Sequence, residues 1–219
     1  MLKGYKNLKL VNVFSYDTSK YDFRKTICKS LNDDDLENLH KKFDYYLLER
    51  NKDQSTAFHK AFYENYNNCG FKEVYESFIK EFCTDVLESK VVNQTKPTFR
   101  VHMPNNVGVG EFHKDSDYNH PLEEINFLVP FTDAEETSTI WVESVPNLGD
   151  YKPVNLKYGQ VLVFRGGLLK HGNKMNETDK TRVSIDFRVI PEEQFKPNSY
   201  SSINTGMKFE VGSYYSRLE

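Results

Sequence analysis

The hydrophobic period of this chain changes near Thr95, and that change limits its fold more tightly than anything else in the sequence. Upstream, apolar residues recur at helical spacing. Downstream, they alternate with polar ones. Phe71, Val74, Tyr75, Phe78, Ile79, Phe82, Val86 and Leu87 form the clearest helical stripe. A second helix is expected over Ser55–Tyr66. Another follows the start signal Asn32-Asp33-Asp34-Asp35, with Leu36, Leu39, Phe43, Tyr46 and Leu47 on one side. Such stripes belong to core faces more often than to ligand sites.

From Pro97 the alternation predicts strands over Thr98–Met103, Gly110–Lys114, Glu124–Pro130, Thr137–Glu143, Pro153–Leu156, Gln160–Arg165 and Thr181–Ile190. Short strands at this density, punctuated by Pro, Gly and Asn, indicate a sandwich or jelly roll. In the last of them Val183, Ile185, Phe187 and Val189 share one face, which should pack beneath the N-terminal helices. Arg182, Ser184, Asp186 and Arg188 share the other. Arg100 and His102 similarly lie opposite Phe99, Val101 and Met103. The expectation is an α+β, mainly β fold in one domain over 1–219. Residues 1–95 are largely helical, 96–190 form the jelly-roll core, and 191–219 are an extension that is either a loop and strand or a lid.

A net charge of −3 offers no basic field to recruit nucleic acid or anionic membrane. Cys28, Cys69 and Cys83 are odd in number, widely spaced and contain no C-x-x-C pair, as expected of reduced thiols in a cytoplasmic protein. No secretory leader or span of ~20 apolar residues is evident.

Against this β background stand His113-Lys-Asp115, His171 and, ten residues further on, Arg182-Val-Ser184. Two imidazoles and a carboxylate can bind one face of octahedral iron(II) and leave the other open. A guanidinium with an adjacent hydroxyl suits the distal carboxylate of a dicarboxylate co-substrate. Each element alone is usually ordinary surface polarity. Their order, on predicted β elements, is what points to a metal site. His40 and His59 lie in helical segments and are expected to be structural; His120 precedes Pro121 and is expected in a loop.

The runs Pro97-Thr-Phe-Arg-Val-His102, Gly110-Glu-Phe-His-Lys-Asp115, Glu124-Ile-Asn-Phe-Leu-Val-Pro130, Thr139-Ile-Trp-Val-Glu-Ser144, Phe164…His171-Gly and Thr181-Arg-Val-Ser184 resemble the streptomycin-biosynthesis-type, phytanoyl-CoA-hydroxylase-like branch of the iron(II)/2-oxoglutarate-dependent dioxygenases. The resemblance spans about residues 55 to 190. It implies a double-stranded β-helix, Fe(II) at His113, Asp115 and His171, and 2-oxoglutarate at Arg182 and Ser184. Relatives that halogenate have a small residue where this chain has Asp115, so hydroxylation is implied. The expected partners are dioxygen and a small polar substrate, an amino acid or sugar derivative. Arg100, His102, Trp141, Glu143 and Arg188 are candidate substrate contacts. Asn126 is a candidate for contact with 2-oxoglutarate or a ligand histidine.

Two other readings compete. Arg182-x-Ser-x-Asp-x-Arg188 has the arginine spacing of alkylation-repair nucleic-acid demethylases, but the acidic balance of the chain opposes it. A non-oxidative jelly-roll isomerase or sugar-binding protein shares the architecture, yet has no need of a buried carboxylate receptor.

Overall fold

The computed structural model of the protein describes residues 4–42, 54–108, 111–203 and 205–218. Phe43, Tyr46, Leu47 and Gly110, which figured in the expected elements, lie outside them. Strands β1 (Val11–Ser15), β2 (Val91–Gln94), β3 (Thr98–His102), β4 (Ile125–Pro130), β7 (Gln160–Phe164), β9 (Arg182–Pro191) and β10 (Tyr215–Arg217) form a seven-stranded sheet. Its order is β1-β7-β4-β9-β2-β10, with β3 also on β9, and every pairing is antiparallel. β9 is long enough to pair with β3 through Arg182–Asp186 and with β2 through Val189–Pro191. A smaller antiparallel sheet has the order β6-β5-β8, where β5 is Ile140–Val142, β6 Lys152–Pro153 and β8 His171–Asn173. The two sheets are the layers of a jelly roll.

Alternation divides the large sheet into two buried faces. Val183, Ile185, Phe187 and Val189 of β9 join Ile125, Phe127 and Val129 of β4 and Val161 and Val163 of β7 in the principal core. The helices cover it: α1 (Phe23–Leu31), α2 (Ala57–Asn65) and one long helix comprising α3 (Phe71–Ser77), a π-helical turn (Phe78–Cys83) and α4 (Thr84–Leu87). Phe187 meets Tyr75 edge-on at 5.1 Å and stacks on Phe127 at 5.3 Å. Leu128, Leu162 and Phe164 turn to the other face and meet Ile140, Val142, Leu156 and Leu169 between the sheets.

The N-terminal part is less purely helical than its sequence indicates, because β1 and β2 belong to the large sheet. Asn32 does not open a helix; it ends α1 in the left-handed conformation at φ 51°. The Asp33–Asp35 run leads instead into a 3₁₀ helix, Leu36–Lys42, with Leu36 and Leu39 buried. The α2 helix falls where expected, with Thr56 as its N-cap. The tail is part of the fold: β10 pairs with β2, and Phe209, Tyr214 and Tyr215 form a third cluster with Val92 and Ile190. All three cysteines are free thiols. No helix among the described residues is long and apolar enough to cross a membrane.

Candidate active site

His113, Asp115 and His171 meet at the open side of the inter-sheet space, and their potential ligand atoms all lie within 4.8 Å of one another. The pairing of strands brings the two histidines together. His113 N donates to His171 O at 3.0 Å and His171 N to His113 O at 2.9 Å, so they are direct cross-strand neighbours. Asp115, just past the expected strand Gly110–Lys114, opens a 3₁₀ turn, Asp115–Tyr118. Hydrogen bonds from Asp115 N to Gly166 O (2.9 Å) and Ser116 Oγ to Gly167 O (2.8 Å) tie this turn to the loop after β7.

The histidines are oriented for ligation. His113 Nδ1 lies 2.8 Å from Glu111 O, and His171 Nδ1 lies 3.0 Å from Leu169 O. A carbonyl only accepts, so in the neutral ring Nδ1 is the atom that carries the proton and Nε2 the one with the lone pair. These Nε2 atoms stand 3.7 and 3.5 Å from Asp115 Oδ1. Asp115 is buried, and its other oxygen, Oδ2, accepts from Asn126 Nδ2 at 2.6 Å and Arg188 Nε at 2.8 Å. Burial by itself raises a carboxyl pKa; here the adjacent Arg188 charge and the histidine contacts outweigh it and hold Asp115 well below the usual carboxylate range.

Arg182 faces this cluster across the same cavity. Its Nε donates to Ser138 O at 3.1 Å and its Nη1 to Ser184 Oγ at 2.6 Å. Among the described residues no carboxylate lies within salt-bridge distance of it, although it is only 3% exposed. Burial, reinforced by Arg100, pulls its pKa down to about 10, which leaves it cationic at neutral pH. Leu128, Ile140 and Phe164 supply the apolar wall of the cavity. A buried guanidinium with no carboxylate in contact is a costly arrangement that an incoming carboxylate relieves.

The remaining expected contacts divide. Arg100 lines the cavity and is paired with Asp186 at 2.6 Å. His102 is buried beside Arg182, and the two share the Ser138 carbonyl. Asn126 holds Asp115 rather than a histidine, and its Oδ1 accepts from Gly166 N at 3.0 Å. Arg188 is at the cavity wall but committed to Asp115. Trp141 and Glu143 do not line the cavity. On β5 it is Ile140 that points inward; Trp141 turns the opposite way and carries Lys174 Nζ 3.4 Å above its ring. The Glu143 carboxylate accepts from the backbone nitrogens of Gly149 and Lys170, each at 2.9 Å, and so closes the 143–149 loop. His120 lies in a loop, as expected, but it is buried there, bonded to Glu124 at 2.8 Å and packed on Phe209.

Asn173 and Asp186 both line the cavity, yet neither was among the candidate contacts. Asp186 was detectable from its place on the polar face of β9, and Asn173 from its i, i+2 relation to His171. No comparable signal marked Tyr214, which reaches Arg188 from the tail at 3.4 Å.

No protein-family profile matches the sequence. The streptomycin biosynthesis protein StrG of Streptomyces griseus is 35% identical over 200 residues, covering 91% of this chain and 94% of that protein. The chain belongs to the StrG family. Its fold is shared with solved structures of low sequence identity. The nickel complex of the non-heme monooxygenase ThoJ superposes with a TM-score of 0.51 at 12% identity, over 96% of this chain and 81% of that one. EctD from S. alaskensis, solved with 2-oxoglutarate and 5-hydroxyectoine, gives 0.51 at 13% identity, over 84% of this chain and 73% of that one. At such identities the likeness to the two solved structures is one of fold. The 35% identity to StrG carries the family assignment.

Proposed function

We propose that this StrG-family protein is an Fe(II)- and 2-oxoglutarate-dependent dioxygenase that hydroxylates a small polar molecule, an amino acid or sugar derivative. One observation carries the reading: a His–Asp–His donor cluster and a buried arginine with no carboxylate partner among the described residues share one cavity. His113, Asp115 and His171 would hold the metal through two Nε2 atoms and Oδ1, a donor set suited to iron(II). Arg182 and Ser184 would hold the distal carboxylate of 2-oxoglutarate. Iron and co-substrate together supply the oxidation, in which 2-oxoglutarate and dioxygen give succinate, carbon dioxide and one oxygen atom inserted into a C–H bond.

The chain's own part is to bind, orient and exclude water. Leu128, Ile140 and Phe164 keep the co-substrate side dry. Arg100 and Asp186 set a cation and an anion side by side on the cavity wall, which favours a substrate carrying polar groups of both signs. The part of StrG in streptomycin biosynthesis supports including sugar derivatives in the substrate panel.

The test is succinate formation from 2-oxoglutarate with Fe(II) across amino acids and sugar derivatives, in wild type, His113→Ala and Arg182→Ala. Iron-dependent succinate lost in both variants is expected. If the metal-loaded wild type neither forms succinate nor binds 2-oxoglutarate by calorimetry, the co-substrate assignment falls.

A further inference from the structure

We infer that Arg188 is a positioning residue for the carboxylate of the proposed metal site: with Asn126 it occupies Asp115 Oδ2, reserves Oδ1 for the metal, and is itself held from the C-terminal tail. The inference rests on the reading of His113, Asp115 and His171 as metal ligands. A carboxylate oxygen has two in-plane lone pairs. Asp115 Oδ2 spends both, on Asn126 Nδ2 at 2.6 Å and Arg188 Nε at 2.8 Å, whereas Oδ1 faces the two histidine Nε2 atoms. Asp115 therefore enters any metal shell through one oxygen, which leaves more positions open than two-oxygen binding would.

Arg188 lies six residues after Arg182 on the same face of β9, so one rigid strand carries both guanidiniums. It is 9% exposed and surrounded by acceptors. Asp186 Oδ1 lies at 3.6 Å and Glu124 Oε2 at 3.7 Å. Gln94 Oε1 at 3.5 Å and Tyr214 Oη at 3.4 Å flank its Nη1. Tyr215 donates to Glu124 Oε1 at 2.5 Å. Tyr214 directly, and Tyr215 through Glu124, thus brace the residue that braces the proposed metal carboxylate, which links the segment after Pro191 to the site.

Two measurements test this without relying on turnover. Cobalt(II) or nickel(II) titrated by calorimetry into wild type should bind, and His113→Ala should abolish that binding. Arg188→Met should weaken it about 10- to 100-fold, Arg188→Lys should recover only part of the loss, and Tyr214→Phe should cost less than Arg188→Met. In the second measurement Asp115→Ala removes the carboxylate but keeps its two donors. Millimolar formate should then restore cobalt binding and its visible spectrum, and should fail to do so in Asp115→Ala/Arg188→Met. A wild type that takes up no metal overturns the metal reading and this inference together. Wild-type binding with unchanged affinity in Arg188→Met, or formate rescue that persists without Arg188, overturns the inference alone.

Discussion

A few atoms decide the geometry around Asp115, and Gly166 is the clearest case. A Cβ at this position would stand 2.6 Å from Asn126 Oδ1 and 2.7 Å from its Cγ and Nδ2. Asn126 has no room to yield, because it is fixed at one end by Asp115 and at the other by the Gly166 nitrogen. Gly166→Ala should therefore displace Asn126 and turn Asp115. The expected result is metal binding weakened about tenfold or more, with about 1–3 kcal/mol of stability lost to overpacking. Metal titration and urea denaturation would measure the two effects; affinity equal to wild type would show that the amide does not orient the carboxylate. The sequence had singled out Asn126 as a contact near the site, but only the hydrogen-bond partners reveal that it serves the carboxylate and not a histidine.

At the scale of elements, β9 organises the molecule. Its even positions supply Arg182, Asp186 and Arg188 to the cavity and Ser184 to Arg182, and its odd positions bind the sheet to the helices. The two roles are coupled through one backbone, so damage to the apolar face should reach the polar one. Phe187 is fully buried between Tyr75 and Phe127. Phe187→Ala should cost about 3–5 kcal/mol in lost burial and a residual cavity, read as a lower urea midpoint at an unchanged slope. A loss below about 1 kcal/mol would mean that the helical layer does not depend on this contact. This alternation was plain in the sequence. On β5 it was not, because three residues cannot establish a period, and Trp141 was expected inside when Ile140 is the residue that faces the cavity.

For the whole molecule, the buried ionisable groups make stability a function of pH. His102 is 1% exposed. Burial first, and the neighbouring Arg182 second, bring its pKa from 6.5 down to about 4. Between those values the unfolded chain takes up a proton that the folded protein refuses. The contribution is complete above about pH 6.5 and is lost as pH falls toward about 4, reaching roughly 3 kcal/mol. His102→Gln cannot titrate, so its urea midpoint should fall less than that of wild type between about pH 7 and 4.5. Equal falls would assign acid sensitivity to the carboxylates instead. The same whole-molecule view explains the tail. Nothing local in its Ser- and Asn-rich sequence marks a strand; β10 forms because the edge of β2 is open to pair with it.

Local periodicity sufficed to determine the jelly-roll class, the long helix over Phe71–Leu87 and the two faces of β9, because each is a repeating pattern of side chains along a regular backbone. The ordered spacing of His113, Asp115, His171, Arg182 and Ser184 was likewise enough to nominate a site. Tertiary structure alone decided the partners. Strand pairing put His113 beside His171, the 3₁₀ turn aimed Asp115 between them, and the tail, paired with β2, carried Tyr214 to Arg188. Hydrogen bonds between distant segments leave no periodic trace, so Arg188 and Glu143 looked alike in the sequence as inward charges, while the fold directs one to Asp115 and the other to a loop.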